Sequence, residues 1–413
     1  MWINLSPLKK YRDFRLLFIS QTISFLGNMV SYVAVPYQVY LLTQSSLYVG
    51  LLSLAQLIPM LFFSLIGGQI ADTKDRRRIL IASEAIMGIC VLVLMLNALQ
   101  SQPSIALIFL STIIMQATNG FHSPALGALL QKVVNAEDYG AIGALGSLRS
   151  SAAMILGPAL GGILVSQFGV ASAYIFDVVS FGLSLALLLR LSPDLRTTEK
   201  VVWKISAFFN NIKEAFTYAL RRQELLGTYF IDIAAMTFAF PLALFPEMSK
   251  DWGGADAAGM LFSAMSVGAL LMAVLSGWTH KIKRQGMMVI MAAALWGIAI
   301  VGLGFSTYLW LAVFWLVLAG AFDSLSGIFR GVIWNETIPN DLRGRMASLE
   351  MISYMSGPLL GNARAGWMAA QQGWHTAISL GGAISFIAVI VCALLLPAFW
   401  HYKSTAISSS ETM

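Results

Sequence analysis

Apolar residues in this chain gather into long stretches that are separated by short polar gaps. A helix needs about 20 mostly apolar residues to cross a lipid bilayer, and the stretches reach that length. The pattern therefore predicts twelve transmembrane helices, referred to below as spans 1 to 12. Their approximate ranges are 14–40, 46–71, 79–98, 104–130, 141–167, 170–192, 225–247, 255–279, 285–304, 307–334, 345–368 and 374–399.

The longest polar gap, residues 193–224, predicts a linker between two halves of the chain. Its segment VVWKISAFFNNIKEAFTYALRR carries apolar residues at helical spacing, which is typical of an amphipathic helix on a membrane surface. We therefore expect an N-terminal six-helix bundle at 1–192 and a C-terminal six-helix bundle at 225–413.

Composition also indicates a membrane protein. Hydrophobic residues make up 58% of the chain and charged residues 11%, whereas soluble domains are roughly 45–50% apolar and about 25% charged. The opening residues, MWINLSPLKKYRDFRLLF, lack the apolar core and cleavage site of a signal peptide, so we expect span 1 to remain in the membrane. Cys90 and Cys392 lie inside apolar stretches, which predicts core residues rather than a disulfide framework or a metal site.

The net charge of +6 is distributed unevenly between alternate gaps. Gaps on the side of the N-terminus are rich in Lys and Arg, whereas opposite gaps such as LLTQSSL and NALQSQPS have almost none, Lys250 being an exception. By the positive-inside rule both termini are predicted to be cytoplasmic, and we expect a lipid bilayer, not nucleic acid, beside these residues. The basic residues outside the linker are Lys74, Arg76, Arg77, Arg78, Lys132, Lys281, Lys283, Arg284, Arg343 and Arg345.

Two short motifs each occur twice in the sequence, about half the chain length apart. GPALGG occupies 157–162 in span 5, and GPLLGN occupies 357–362 in span 11. The stretch VVNAEDYGAIGAL before span 5 likewise resembles TIPNDLRGRMASL before span 11. Parallel repeats of six spans are a transporter architecture, so the sequence predicts an all-α membrane protein built from two six-helix repeats.

The gap after span 2 carries the first resemblance to a known family. GGQIADTKDRRRIL (67–80) resembles the signature loop of the major facilitator superfamily, although Thr73 replaces a usual basic residue and Asp75 a usual glycine. The matching positions are Gly68, Asp72, Arg76 and Arg77. This resemblance implies a gate in which Asp72 meets the N-terminus of span 11, where the helix dipole attracts an anion. The alternative is that the arginines of this loop only fix its topology.

GPALGG resembles the span-5 motif that the superfamily associates with exporters, although Ala144 and Ala153 replace its earlier glycines. Its residues are Gly157, Pro158, Gly161 and Gly162. Small residues allow close helix packing in lipid, and such packing could also seal one end of a transport pathway. The stretches VAVPYQVYLLTQSSLYVGL, LNALQSQPSIALIFL and SGWTHKIKRQGMM are similar to the drug- and siderophore-exporter branch.

Polar residues inside the spans predict a central substrate cavity, because such residues are costly in a membrane and usually face a cavity or a partner. They concentrate on spans 1, 4, 7 and 10, the four helices that line the cavity in the superfamily. Arg149 of span 5 also needs a partner, either a carboxylate or an anionic substrate. The cavity candidates are Gln21, Asn28, Tyr32, Asn119, His122, Arg149 and Arg330.

Two carboxylates are candidates for proton coupling. Desolvation disfavours the charged form of a buried carboxylate, so such a group can take up and release a proton. Asp232 of span 7 is the first candidate and Asp323 of span 10 the second, although Arg330 lies on the same helix face as Asp323 and could neutralise it. A structural ion pair is the alternative for each. Asp177 and Glu84 lie off the four cavity helices and are interpreted as capping or packing residues.

Several other function classes lack their motifs in this sequence. It has no phosphate-binding glycine–lysine loop, no His/Cys cluster at metal-ligand spacing and no Gly-x-Ser-x-Gly elbow. We therefore expect no enzyme activity, no cofactor and no metal. The prediction is a monomeric inner-membrane transporter that exports small amphipathic molecules, such as siderophores or drugs, in exchange for protons. An importer or uncoupled facilitator and a non-transporting receptor are the alternatives.

Overall fold

A computed structural model describes residues 4–192, 205–339 and 342–404. These residues form fifteen α-helices and no strand. The helices are α1 (Ser6–Lys10), α2 (Arg12–Thr43), α3 (Ser46–Thr73), α4 (Arg76–Ala98), α5 (Ile105–Val133), α6 (Tyr139–Phe168), α7 (Val170–Leu188), α8 (Ile205–Leu220), α9 (Gln223–Ala239), α10 (Phe245–Ser249), α11 (Ala255–Leu275), α12 (Gln285–Gly304), α13 (Leu309–Thr337), α14 (Arg343–Leu395) and α15 (Pro397–Trp400).

Eleven helical segments of the described chain are long and apolar enough to cross a membrane. The last of them, Leu349–Leu395, is 47 residues long and contains one non-helical residue, Gly373, with φ of 77°. Glycine adopts this left-handed conformation without a steric penalty. Division at Gly373 yields two membrane-length helices, which correspond to the predicted spans 11 and 12. The all-α membrane fold predicted from the sequence is confirmed.

The described residues form two compact units. The first contains 4–44, 55–192 and 253–263, and the second contains 45–54, 205–252, 264–339 and 342–404. The residues of α3 and α11 thus divide between the units. Residues 193–204 of the predicted linker lie outside the described residues, and the remainder forms α8 and the turn after it. The predicted domain boundaries, 1–192 and 225–413, remain a prediction.

In the first unit, α2 packs against α6 and α7, and α4 packs against α5 and α7. Leucines from four helices close one end of this bundle: Leu17 of α2, Leu80 of α4, Leu129 of α5 and Leu188 of α7 are fully buried together. Burying a leucine side chain contributes about 1.5–3 kcal/mol where water is the alternative. This cluster fixes the ends of the helices that carry the polar residues described below.

In the second unit, α14 packs against α9 and α12, and α12 packs against α13. The amphipathic α8 is held to this unit by one face, because Ala215 and Ala219 are buried beside Leu225 and Met346. Its other face exposes Phe216. The helix therefore follows the pattern predicted for the C-terminal part of the linker, with small residues against the protein and a large apolar residue directed outward.

Candidate functional site

A cavity of about 330 Å³ lies inside the second unit, between α9, α13 and the first part of α14. It brings together residues that are far apart in sequence, including both predicted proton-coupling carboxylates and Arg330, one of the two predicted cavity arginines. Its lining consists of Thr228, Tyr229, Asp232, Met236, Phe240, Asp323, Gly327, Arg330, Trp334, Glu350, Ser353, Tyr354 and Pro358.

An arginine lies between two carboxylates at the centre of this cavity. Arg330 Nη1 forms an ion pair with Asp232 Oδ1, and Arg330 Nη2 lies 3.8 Å from Asp323 Oδ1. Asp323 and Arg330 are seven residues apart and therefore share one face of α13, whereas Asp232 comes from α9. The sequence interpretation made Asp323 the partner of Arg330; in the structure the closer partner is Asp232. Only 6% of the Asp232 side chain is exposed, against 38% for Asp323.

Several buried polar atoms of this cavity have no hydrogen-bond partner in the described residues. They are Tyr229 Oη, Asp232 Oδ2, Arg330 Nε and Ser353 Oγ. Leaving a buried polar group unsatisfied costs about 1–3 kcal/mol. The lining therefore offers both donors and acceptors that a bound molecule or water could satisfy.

Glu350 adds a third carboxylate to the lining, which sequence reasoning missed. It follows the basic stretch at the start of α14 and resembles a loop charge when only the sequence is considered. Its spacing from Ser353 and Tyr354, three and four residues on, places all three on one helical face. That spacing was the sequence signal that could have identified Glu350 as a cavity residue, and all three residues line the cavity in the structure.

Aromatic side chains form much of the remaining wall. The rings of Tyr229 and Trp334 meet edge to face, with centroids 5.3 Å apart and an interplanar angle of 72°. Trp334 Nε1 donates a hydrogen bond to Thr228 Oγ1 at 3.2 Å, which orients the indole. Phe240 and Tyr354 complete the apolar part. The cavity thus combines charged groups with flat apolar surfaces.

In the first unit, Gln21 and His122 lie in a buried network around Glu84. Gln21 Nε2 donates to Glu84 Oε1 at 2.7 Å, Ser24 Oγ donates to Oε2 at 3.1 Å, and His122 Nε2 lies 3.2 Å from Oε1. The Glu84 side chain has no exposed surface. The polar residues of span 1 therefore face α4 at this level. Asp177 of α7 makes a second such contact with span 1, accepting from Ser31 at 2.5 Å.

The other predicted cavity residues of the first unit are less buried. Tyr32 is 43% exposed, and its ring meets the edge of Phe262 at 5.5 Å between centroids. The Arg149 guanidinium lies 5.7 Å from the centroid of the Phe25 ring, and its Nε has no hydrogen-bond partner in the described residues. The two predicted amides, Asn28 and Asn119, are half-buried.

The loop that resembles the superfamily signature is described in part. Its helix α3 includes Gly68 and Asp72, but the surroundings of these two residues lie outside what is described. Asp75, which replaces the usual glycine, caps α4: its carboxylate accepts from the backbone N–H of Arg77 at 3.1 Å and of Arg78 at 3.3 Å. Arg77 Nη2 donates to the Leu189 carbonyl at 3.0 Å. Arg76 starts α4. The gate role of Asp72 stays a prediction.

The span-5 motif packs helices closely at two places. A Cβ added to Gly161 would lie 2.8 Å from the Val30 carbonyl oxygen of α2, and one added to Gly157 would collide with Met29 Cβ of the same helix. A Cβ added to Gly162 would lie 2.9 Å from Gly259 Cα on α11. Pro158 is buried between these contacts. A similar contact lies just after the second motif, since a Cβ on Gly366 of α14 would lie 3.1 Å from Gly50 Cα on α3.

Comparison with known proteins gives one family and one fold. The profile of the transmembrane secretion effector family matches residues 3–413. The chain is 27% identical to the enterobactin exporter EntS of Salmonella typhi over 406 residues, which cover 95% of this chain and 94% of that protein. The enterobactin exporter EntS of Escherichia coli O9:H4 (strain HS) is 26% identical over 413 residues, covering 98% and 96%.

Solved structures share the fold at low sequence identity. The nucleoside transporter NupG superposes with a TM-score of 0.71 and 13% identity, covering 92% of this chain and 98% of that chain. A bacterial homologue of the iron transporter ferroportin has a TM-score of 0.69 and 14% identity, covering 96% and 99%. At this identity the likeness concerns the fold alone.

Proposed function

Because the chain belongs to the transmembrane secretion effector family of the major facilitator superfamily, we propose that it exports small amphipathic molecules, such as siderophores or drugs, in exchange for protons. The proposal places it in the inner membrane as a monomer with both termini in the cytoplasm. Its similarity over nearly the full length of the enterobactin exporters supports export and a siderophore-like substrate.

The observation that carries the coupling step is the guanidinium of Arg330 between two carboxylates. A guanidinium keeps its charge at any relevant pH, so only the carboxylates can change charge in this group. When Asp232 takes up a proton, its ion pair with Arg330 is lost and the carboxylic acid becomes a hydrogen-bond donor. Arg330 then retains Asp323 as its remaining counter-charge. Proton uptake thereby changes both the charge and the hydrogen bonds that the cavity offers to a substrate.

One glycine contact in the first repeated motif and one just after the second motif support an alternating-access cycle. Gly162 against Gly259 and Gly366 against Gly50 bring pairs of helices within backbone contact. Such interfaces hold few side chains that must disentangle when the helices separate. We infer that these two contacts close one end of the substrate path and part when the path opens there. Asp72 is retained as the gate residue of the opposite end, on the strength of the loop resemblance.

The experiment that tests this proposal follows lumenal pH in proteoliposomes that hold the purified full-length protein and a preset proton gradient. Siderophores, lipophilic cations and macrolides are added one at a time. The proposal predicts that at least one compound dissipates the gradient and that Asp232→Asn abolishes this response. Glu224 is a carboxylate of the same unit that lies outside the cavity. Glu224→Gln is therefore the matched control and should respond like the unaltered protein.

An uncoupled facilitator or importer is the second candidate, because Ala144 and Ala153 replace glycines of the exporter motif. A compound that is transported at the same rate with and without the proton gradient would favour it. In that case the Arg330 group would be a structural ion pair only.

A further inference from the structure

The cavity of the second unit carries an excess of negative charge. Its lining contains three carboxylates, Asp232, Asp323 and Glu350, and one guanidinium, Arg330, a formal charge of −2 when all are ionised. Arg330 is already paired with Asp232. An anionic molecule would therefore enter a site whose one positive group is engaged and whose remaining charges repel it.

The carboxylates of this cavity are also incompletely satisfied. Asp232 Oδ2 is buried without a hydrogen-bond partner in the described residues, although only 6% of the side chain is exposed. The described residues provide Glu350 with no hydrogen bond or ion pair, and Arg330 attracts its carboxylate only through space. In a low-dielectric interior, a carboxylate in this situation is stabilised either by a proton or by a cation. A transporter that exchanges protons for cations would use the protonated carboxylate and the cation-bound carboxylate in turn.

The aromatic wall fits the same kind of ligand. Tyr229 and Trp334 pack edge to face, and Tyr354 lines the cavity beside Glu350. The face of an aromatic ring attracts a cation within about 6 Å of its centroid, most strongly when water is excluded. The same rings provide flat apolar contact area for the body of an amphipathic molecule.

We propose that this cavity selects its substrates by charge, and that it binds organic cations with a flat or aromatic apolar body in preference to anions of the same shape. The proposal rests on the export function proposed above and adds the charge class of the substrate. The cation would occupy the space between Glu350 and Asp323, while Arg330 holds Asp232. A proton on either carboxylate would weaken its binding, so proton uptake and release of the cation become linked at one site.

Two ions of the same size and shape but opposite charge test this selection. Tetraphenylphosphonium and tetraphenylborate are titrated separately against the purified full-length protein in neutral detergent, and binding to detergent micelles alone is subtracted. We expect saturable binding of the cation that is stronger than that of the anion by on the order of tenfold or more. Equal or tighter binding of tetraphenylborate, or no saturable binding of either ion, would overturn the proposal.

Isosteric variants locate the effect in the cavity. Glu350→Gln and Asp323→Asn should each weaken phosphonium binding several-fold and narrow the difference between the two ions, whereas Glu224→Gln should change neither affinity. Each variant is first checked for an unchanged elution volume and helical signal. If one variant fails to fold, the other decides. Unchanged phosphonium affinity in a folded Glu350→Gln or Asp323→Asn protein contradicts the assignment.

The outcome is separable from that of the export proposal. Selective cation binding without any movement of protons in proteoliposomes would retain the charge selection and remove proton coupling. Proton exchange driven only by anionic compounds would retain proton coupling and remove the charge selection.

Discussion

Asp232→Asn is the substitution that most directly probes the ion pair at the centre of the cavity. Asparagine keeps the shape of the side chain and removes its charge, so the change isolates electrostatics from packing. The Asp232 side chain is 6% exposed and that of Arg330 19%, which limits screening by solvent. In the unaltered protein the pair is buried, and the Arg330 guanidinium retains one further carboxylate, Asp323, at 3.8 Å.

The magnitude follows from what remains after the substitution. Removing one partner of a buried ion pair costs about 3–5 kcal/mol, because it leaves an uncompensated charge. Asp323 offsets only a small part of that cost, because its longer distance and its more exposed side chain leave its attraction to Arg330 screened by solvent. We therefore expect Asp232→Asn to lower the free energy of unfolding by about 3 kcal/mol, the low end of that range. Asp323→Asn, at a longer distance and with a more exposed side chain, should cost about 1 kcal/mol or less.

The assay is equilibrium unfolding in mixed detergent micelles, combined in a double-mutant cycle with Arg330→Gln. In the Arg330→Gln background the cost of Asp232→Asn should largely vanish, because the charge it would strand is absent. Transport provides the second readout: gradient-driven transport is lost in Asp232→Asn, while substrate binding is largely retained. Equal costs for Asp232→Asn and Asp323→Asn, or full transport by Asp232→Asn, would refute the reasoning.

Three further substitutions test other parts of the structure. Gly162→Leu should abolish transport while Gly146→Leu on the same helix should not, because a Cβ at Gly162 meets the backbone of α11 and one at Gly146 meets nothing within 4 Å; vesicle transport at matched expression decides. Glu84→Gln should destabilise the protein by about 2 kcal/mol in detergent unfolding, since the amide NH2 cannot accept one of the hydrogen bonds that Gln21 and Ser24 donate to the two carboxylate oxygens, and an unchanged midpoint would contradict that role. Asn362→Ala should cost about 1–2 kcal/mol in the same assay, because the buried amide accepts from the Ala243 N–H at 3.0 Å; a neutral result would show that this bond contributes nothing.

The membrane fold was predictable because its signal is local. Twenty apolar residues in sequence need no tertiary information to be identified as a span, and the repeated motifs at 157–162 and 357–362 expose the duplication directly. Spans 11 and 12 form one helical segment that only Gly373 interrupts. No local sequence signal predicted that they would be joined so closely. A single glycine with positive φ looks in sequence like many glycines of a packed helix.

The candidate site was predictable only in part. Helical periodicity places Asp323 and Arg330 on one face, but it cannot show that Asp232 from another helix approaches the guanidinium more closely. The same limit applies to Glu84. The sequence assigned it to packing on a helix away from the cavity, but its carboxylate accepts hydrogen bonds from Gln21 and Ser24 of span 1. Which face of a helix meets which neighbour depends on packing between helices, and the spacing of polar residues along one helix does not encode it.

The measurement that tests the central claim most directly is proton release on substrate binding. Tetraphenylphosphonium is added to the purified protein in weakly buffered detergent solution containing a pH indicator, with the Asp232→Asn/Asp323→Asn double variant in parallel. The account predicts that the unaltered protein releases protons in proportion to bound cation. The double variant should bind the cation more weakly and release fewer protons per bound cation, because Glu350 is the one of the three lining carboxylates that it retains. Equal release by both proteins, or saturable binding to the unaltered protein with no release at all, would contradict proton exchange at the Arg330 carboxylates.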